Sequence, residues 1–291
     1  MSLTTQPKGP EHYLGGLASY QVAGAALGCT LYVDGCAGSD SNSGFDAQHP
    51  LLTIAAALAL CTNDHNDTIV VLDYYDLESD LAVTINKSKV TLVGSPGGCK
   101  DRSWTCLHAT ADTACLIVAA NDVRIHNFVF EAGAAHGGVE FSGGKCRLGI
   151  FDCWFAAGAY GVYSVPGGIA FSLEVANCFF CQSLTGHSLY INDDPAFIFL
   201  HDNFFDQAQG DAINVALGGG GRICDNTIAC GADAQGRGIT LGASVTRMLV
   251  ARNVANFGDA DMAANPFEDG AAGDINHWMA NYKGITLIHP A

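Results

Sequence analysis

The sequence predicts an all-β solenoid in which short parallel strands stack as coils of about 25 residues. Three observations lead to this fold class. One apolar segment pattern recurs six times at nearly constant spacing, and a second series of strand-like segments lies between its copies. Gly-rich turns separate the segments, and the repeats carry no helical period. A short strand cannot bury its apolar face alone, so stacked coils build one continuous core.

The first series reads apolar-x-apolar, then a polar residue, then Asn or Cys, then two mostly apolar positions, as in VRIHNFVF (123–130) and LGIFDCWF (148–155). The Asn/Cys positions lie 26, 25, 25, 23 and 27 residues apart, which predicts one coil per copy. Asn in a turn tolerates unusual backbone angles, and its amide can hydrogen-bond along a stack. We therefore predict a structural ladder of Asn127, Cys153, Cys178, Asn203, Asn226 and Asn253.

The second series begins with GGVEF (137–141) and YGVYS (160–164) and continues at 187–191, 211–215 and 237–241. Apolar residues alternate with other types in each copy, so one face of every strand points inward. The predicted inward positions are Val139, Val162, Leu189, Ile213 and Ile239. The predicted outward positions are Glu140, Tyr163, Tyr190, Asn214 and Thr240.

The N-terminal part of the repeat begins with a strand-like segment and ends in an apolar helical one. LYVDG (31–35) is followed by a polar loop, AGSDSNSG (37–44), and by the apolar stretch HPLLTIAAALALC (49–61). Together with the coil repeat, this block resembles the right-handed, single-stranded parallel β-helix proteins of the pectate-lyase-like superfamily. The resemblance implies that a helix near 50–61 plugs the open end of the solenoid.

The repeat divides the chain into three parts. Residues 29–256 carry the parallel β-helix, and residues 1–28 precede it as a Gly/Ala-rich attachment segment. Residues 257–291 form a C-terminal segment, in which KGITLIHP (283–290) predicts a final strand. Such a strand can close the last coil or pair with a neighbouring chain.

Composition excludes several classes of partner. A formal net charge of −16, from 13 basic and 29 acidic residues, argues against nucleic-acid binding. The longest apolar run, 51–61, is too short to cross a membrane. The 12 cysteines lack the paired spacing of a zinc site and predict reduced thiols in a cytoplasm, so we expect neither a metal nor another cofactor.

The turn before the second strand series carries the most chemistry. His187, Asp211 and Arg237 occupy one column on three successive coils, where they could supply a base, an orienting carboxylate and a substrate clamp. A surface ladder of ion pairs explains the same residues. Tyr160, Tyr163 and Tyr190 could instead stack against a glycan that is bound without being cleaved.

The superfamily resemblance leaves the function open, because it spans lyases, hydrolases and phage proteins. Charged residues make up only 14% of the chain, and the outward strand column lacks a catalytic carboxylate pair. We therefore expect a phage virion protein, closest in character to tailspike-like and capsid decoration proteins. It would be a homotrimer assembled in the host cytoplasm, docked on capsid or tail proteins through residues 1–28 and the C-terminal segment. The alternative is a polysaccharide lyase or glycoside hydrolase acting on a surface glycan.

Overall fold

A computed structural model describes residues 28–73, 75–77, 82–95, 104–142, 147–166, 172–181, 183–193, 197–206, 209–230, 236–257, 266–272, 276–283 and 286–288. They form one short helix and three stacked sheets, in which every strand pair but the last is parallel. We name the three sheets A, B and C. In each coil the chain passes from sheet C to sheet A and then to sheet B. The parallel β-helix predicted from the sequence is therefore confirmed.

Within each sheet, the strands follow one another along the axis in chain order. Sheet A contains β1 (Thr30–Val33), β2 (Thr68–Val71), β5 (Thr91–Gly94), β8 (Val123–His126), β11 (Arg147–Phe151), β14 (Ser172–Ala176), β17 (Phe197–His201), β20 (Gly219–Cys224), β23 (Thr246–Ala251) and β26 (His277–Met279). Sheet B contains β3 (Tyr75–Leu77), β6 (Thr105–Ala109), β9 (Phe128–Glu131), β12 (Trp154–Ala157), β15 (Phe179–Phe180), β18 (Phe204–Asp206), β21 (Thr227–Cys230), β24 (Val254–Phe257), β27 (Asn281–Lys283) and β28 (Thr286–Ile288). Sheet C contains β4 (Val83–Ile85), β7 (Leu116–Val118), β10 (Gly137–Ser142), β13 (Tyr160–Val165), β16 (Leu189–Ile191), β19 (Ile213–Val215), β22 (Ile239–Leu241) and β25 (Phe267–Asp269).

Like residues stack above like residues in the core. In sheet B, the rings of Phe130, Phe155, Phe180 and Phe205 are parallel, with centroids 5.1, 4.7 and 4.6 Å apart in succession. All four side chains are fully buried. In sheet C, the predicted inward column pairs in register and is also fully buried: Val139, Val162, Leu189, Ile213 and Ile239. The core is thus continuous along the axis, as the repeat requires.

The turn between sheets A and B carries the hydrogen-bonded ladder, with one correction to the predicted column. The amide Nδ2 of Asn203 donates to Oδ1 of Asn226, and the same bond joins Asn226 to Asn253 and Asn253 to Asn281. Cys153 and Cys178 lie in this column on the two coils before Asn203. Asn127 does not, because His126 pairs with Phe151, which aligns Asn127 with Asp152 instead of Cys153.

Asn127 belongs to the neighbouring column, where the chain turns. That column has positive φ on successive coils, a conformation that Asn and Asp tolerate better than most residues. Its members are Asn127 (φ 61°), Asp152 (φ 55°), Asn177 (φ 54°), Asp202 (φ 56°), Asp225 (φ 60°) and Arg252 (φ 57°). The sequence pattern merges the two columns because both favour Asn.

The helix α1 (Ile54–Leu60) covers the first coils, as the resemblance implies. Thr53 caps it, since its hydroxyl accepts from the amide of Ala56 at 3.0 Å. Asp40 fixes the preceding loop through the amide and the hydroxyl of Thr53, both at 2.9 Å. Ile54, Ala57 and Leu58 face the core and are buried. The helix contacts β1, β2 and β4, and so excludes water from the end of the solenoid.

The coils continue beyond residue 256, where the sequence pattern ends. β25, β26 and β27 add one strand to each sheet, and Asn281 extends the ladder. β28 then turns back and pairs antiparallel with β27, within the segment predicted to hold a final strand. Of the predicted attachment segment 1–28, only Gly28 lies among the described residues.

The nine cysteines whose side chains are described are free thiols. Burial raises the pKa of Cys61 to about 12, with the nearby charge of Asp67 adding to the effect. Burial also raises the pKa of Cys115 to about 12, so both thiols behave as small apolar groups. In the part of the chain that the structure describes, no helix has the length and apolar character needed to span a membrane.

Candidate functional site

The outer face of sheet C presents the predicted outward column in register. Each residue lies beside its equivalent on the next coil, and the structure adds Glu268 after the last predicted member. The column reads Glu140, Tyr163, Tyr190, Asn214, Thr240 and Glu268. Five of the six were predicted from the sequence, and Glu268 could have been found because Phe267 continues the inward apolar column.

Glycines in the preceding turn bring His187, Asp211 and Arg237 together. Gly210 and Gly236 come directly before Asp211 and Arg237, and a Cβ on Gly236 would overlap the carbonyl oxygen of Gly210. The turns therefore stack with their backbones in contact, and a side chain at position 236 would force them apart. The three polar residues follow at equivalent positions on successive coils, as the spacing predicts.

His187 is held as a neutral imidazole. Its Nδ1 accepts a hydrogen bond from the backbone amide of Asp211 at 2.9 Å, which places the ring proton on Nε2. Burial lowers the pKa of His187, and the charge of Asp211 opposes this only in part. The carboxylate of Asp211 lies 3.7 Å from Nδ1, and Nδ1 carries no proton to share with it. Asp211 thus positions His187 through its backbone and not as the carboxylate of a catalytic pair.

Asp211 and Arg237 do not form the ion pair that the ladder interpretation supposes. The carboxylate of Asp211 accepts from the backbone amide of Arg237 at 2.7 Å and from the Asn214 amide at 2.6 Å. The guanidinium of Arg237 pairs instead with Glu268. Arg237 therefore links two carboxylates. Its backbone amide donates to Asp211, and its guanidinium pairs with Glu268.

Three tyrosines form a cluster beside this column. The ring centroids of Tyr160 and Tyr163 are 4.7 Å apart, and that of Tyr190 lies 5.8 and 5.7 Å from them. The imidazole of His187 extends the cluster, 4.8 Å from the ring of Tyr190. The tyrosines are half-buried. Partial burial raises the pKa values of Tyr163 and Tyr190, and neighbouring phenols add to this, so the hydroxyls are protonated at neutral pH.

Glu140 lies at the other end of the tyrosine cluster. Its Oε1 accepts from the backbone amide of Gly137 at 2.9 Å and lies 3.1 Å from Nδ1 of His136. Strands in a sheet are about 4.8 Å apart, so Glu140 and Asp211 are separated by about 14 Å across three coils. The structure therefore does not place Glu140 in contact with the column of His187, Asp211 and Arg237.

A second concave region lies on the outer face of sheet A. This open cavity of about 610 Å³ has Gly149 in its lining, with Arg124 and Glu174 on the neighbouring strands. Arg147 at its edge is neutralised by Asp122 at 2.6 Å. The cavity is polar and faces away from the tyrosine cluster, so it forms a separate surface.

Comparison with solved structures finds the same fold in carbohydrate-active proteins. A GH136 lacto-N-biosidase from Eubacterium ramulus is 13% identical, with a TM-score of 0.54. The match covers 87% of this chain but 55% of the lacto-N-biosidase, so this chain spans about half of that protein. A likeness at this identity establishes the fold alone.

Two further structures are less similar. A rhamnogalacturonan lyase is 10% identical over 87% of each chain, with a TM-score of 0.47. A pectin methylesterase from Aspergillus niger is 14% identical over 89% of this chain and 86% of its own, with a TM-score of 0.43. No protein-family model and no curated protein matches the sequence.

Proposed function

We propose that the outer face of sheet C is a glycan-binding surface for a neutral oligosaccharide or polysaccharide. One observation carries the proposal: Tyr160, Tyr163, Tyr190 and His187 form a continuous cluster on adjacent coils of one face. Aromatic rings pack against the apolar faces of sugars, and protonated phenols donate hydrogen bonds to their hydroxyls. Successive coils repeat about every 4.8 Å, so a chain-like ligand can contact several of them. A carbohydrate ligand also fits the shared fold with the lacto-N-biosidase.

The charges of this face favour a neutral glycan over an acidic one. Among the described residues of this face, Glu140, Asp211 and Glu268 contribute three carboxylates, against the single guanidinium of Arg237. His187 adds no positive charge at neutral pH, because burial lowers its pKa. The chain as a whole carries a formal charge of −16. A polyuronate would therefore be repelled both locally and at long range.

The geometry supports binding better than cleavage. A glycoside hydrolase holds two carboxyl groups about 5–9.5 Å apart, and one of them must be protonated. Asp211 and Glu268 lie two coils apart, about 10 Å between backbones, and both carboxylates already accept hydrogen bonds from cationic or amide donors. On the described part of sheet C, no carboxyl group is placed as a proton donor beside a second carboxylate.

The test is a binding screen with neutral and uronate-containing oligosaccharides, read by calorimetry and by product analysis. We expect a neutral glycan to bind without being cleaved, and Tyr190→Ala to weaken it about tenfold. Tyr32→Ala, on sheet A, is the matched control and should bind as wild type. Preferential binding of a polyuronate, or equal binding by Y190A and wild type, would contradict the proposal. Cleavage that disappears in Asp211→Asn would instead establish the enzyme alternative.

A second proposal, the virion structural role, is favoured by a different surface. Trp154, Phe179 and Phe204 form an aromatic stripe on the outer face of sheet B, with centroids 5.4 and 5.2 Å apart. Trp154 and Phe204 are 40% and 37% exposed, an apolar surface of the kind that contacts another protein. We expect this stripe to join three copies of the chain into the homotrimer of a capsid or tail decoration protein.

Sedimentation analysis at micromolar concentration tests this second proposal. Wild type should sediment as a trimer, and Trp154→Gln with Phe204→Gln should shift it to monomer. Phe45→Gln, which removes an exposed phenylalanine from the loop before the helix, is the control and should leave the trimer intact. A monomeric wild type would overturn the proposal without touching the glycan-binding one.

A further inference from the structure

The beginning of the solenoid holds a second group of chemically competent side chains, several coils before the tyrosine cluster. The thiol of Cys29, the imidazole of His65 and the carboxylate of Asp67 each offer one ligand atom, and these atoms lie within 4.8 Å of one another. Cys29 and Asp67 come directly before β1 and β2, whose first residues, Thr30 and Thr68, pair in register. The strand pairing therefore holds two of the three side chains side by side.

We propose that Cys29, His65 and Asp67 form a binding site for Zn²⁺. Thiolate, imidazole and carboxylate are the ligands that zinc takes in proteins, at about 2.0–2.3 Å. Three protein ligands leave the fourth tetrahedral position to water, and the exposure of Cys29 leaves the site open to solvent. On binding, the Cys29 thiol releases its proton to solvent, since the thiolate is the ligand.

Asp67 is built to stay in position for this role. Its side chain is 1% exposed, yet two backbone amides hold it from opposite sides. Cys29 N donates to Oδ1 and Thr62 N donates to Oδ2, both at 2.7 Å. These bonds fix the carboxylate between the start of the first coil and the loop after the helix. A metal there would link the same two segments.

His65 needs only a small movement to join the site. Its Nδ1 lies 2.7 Å from Oδ1 of Asp67, and its side chain is 30% exposed. Two ligand atoms on tetrahedral zinc are about 3.3 Å apart, so the ion would lengthen this contact by about half an ångström. The ion would take the place of the proton that Nδ1 and Oδ1 share, and the imidazole proton would move to Nε2.

The alternative explanation is that Asp67 anchors the loop without binding an ion. A control variant at a second exposed cysteine, Cys36, distinguishes the two explanations. Cys36 is also exposed and lies just beyond the other end of β1, in a group with Asp34 and Asp73. That group holds no imidazole, so we expect it to bind zinc much more weakly. Cys36→Ser therefore controls for the general loss of an exposed thiol near the same strands.

The experiment titrates the full chain, stripped with a chelator, with Co²⁺ as a spectroscopic probe for Zn²⁺. We expect one cobalt ion per chain, a thiolate-to-cobalt band in the near ultraviolet, and its loss when Zn²⁺ displaces the cobalt. C29S should abolish the band, His65→Ala should weaken cobalt binding at least about tenfold, and C36S should keep both.

Several results would overturn the site. They are the absence of a thiolate band in wild type, a band that survives in C29S, and a band that disappears in C36S. Saturation only at millimolar cobalt, equal in wild type and C29S, would also overturn it. If circular dichroism shows that C29S does not fold, H65A decides, because among the described residues the His65 side chain hydrogen-bonds to Asp67 alone. Wild-type cobalt affinity in folded H65A would then refute the proposal.

Discussion

The side-chain amide of Asn226 donates to Oδ1 of Asn253 at 2.9 Å, and its own Oδ1 accepts from the side-chain amide of Asn203 at 3.0 Å. Each ladder residue is thus both donor and acceptor, at a position that water does not reach. Because buried polar groups are stable only when they are paired, removing one member leaves groups on both neighbours unsatisfied. The column one position earlier, which contains Asn127, is not buried; Arg252 pairs with Asp225 there, but at the surface, where water can replace the lost contact.

Asn226→Gly should therefore destabilise the protein far more than Asn127→Gly. The first change leaves the backbone amide of Asn203 and one of its two side-chain N–H groups without an acceptor and costs about 3 kcal/mol or more. The second retains a residue suited to φ 61° and should change stability by less than about 0.5 kcal/mol. Urea unfolding of both variants measures the difference, and equal losses would show that the two columns are not distinct.

Cys178 occupies the ladder position one coil before Asn203, where the following coils have Asn. Its Sγ lies 3.7 Å from the carbonyl of Ile150, the contact that Nδ2 of Asn203 makes with Val175 at 2.9 Å one coil later. We expect Cys178→Asn to be tolerated within about 1 kcal/mol, because the new amide finds the carbonyl of Ile150 and Oδ1 of Asn203.

Cys61→Asn is the control for that substitution. Cys61 is equally buried but lies in the apolar core at the end of the helix, so its replacement buries an amide outside the ladder. A loss of about 2–4 kcal/mol is expected from thermal or urea unfolding. If C178N and C61N lose the same stability, the ladder does not extend to Cys178.

The fold was predictable because each coil repeats two signals of different period. Alternation along a strand defined the inward column through Val139 and Val162, and the 25-residue spacing defined the stack. The 26-residue step from Asn127 to Cys153 could not reveal that Asn127 lies outside the ladder, because steps of 23 and 27 residues occur within it. Asn281 was missed because its segment, HWMANYK (277–283), departs from the apolar pattern.

The contacts between side chains of the site were less predictable than the places of those residues on the coils. Spacing placed His187 and Asp211 on adjacent coils, but it could not reveal that the Asp211 backbone, and not its carboxylate, bonds to Nδ1. The Arg237–Glu268 pair depends on the reach of two flexible side chains. Cys29 and Asp67 are 38 residues apart and meet only through the register of the first two strands, where the sequence repeat is weakest.

The phenol of Tyr163 should make the protein sensitive to alkali. Burial raises the pKa of this phenol, and the neighbouring tyrosines and Glu140 raise it further. The folded state therefore keeps its proton above pH 10, where the unfolded chain has lost it, so stability falls as pH rises through this range. Tyr163→Phe should show a shallower fall between about pH 9.5 and 11, and Tyr32→Phe should behave as wild type. Identical slopes in Y163F and wild type would contradict this.

The imidazole of His187 should produce the opposite dependence in mild acid. Burial lowers its pKa, so below about pH 6.5 the unfolded chain binds a proton that the folded state resists, and stability is lost as pH falls. His187→Asn keeps an acceptor for the Asp211 amide but cannot titrate, so its stability should fall less between pH 7 and 5. His126 contributes with the same sign and is unchanged in the variant. Urea unfolding at each pH measures the slopes, with exposed His277→Asn as the control; a wild-type slope in H187N would show that His187 is not held neutral by the fold.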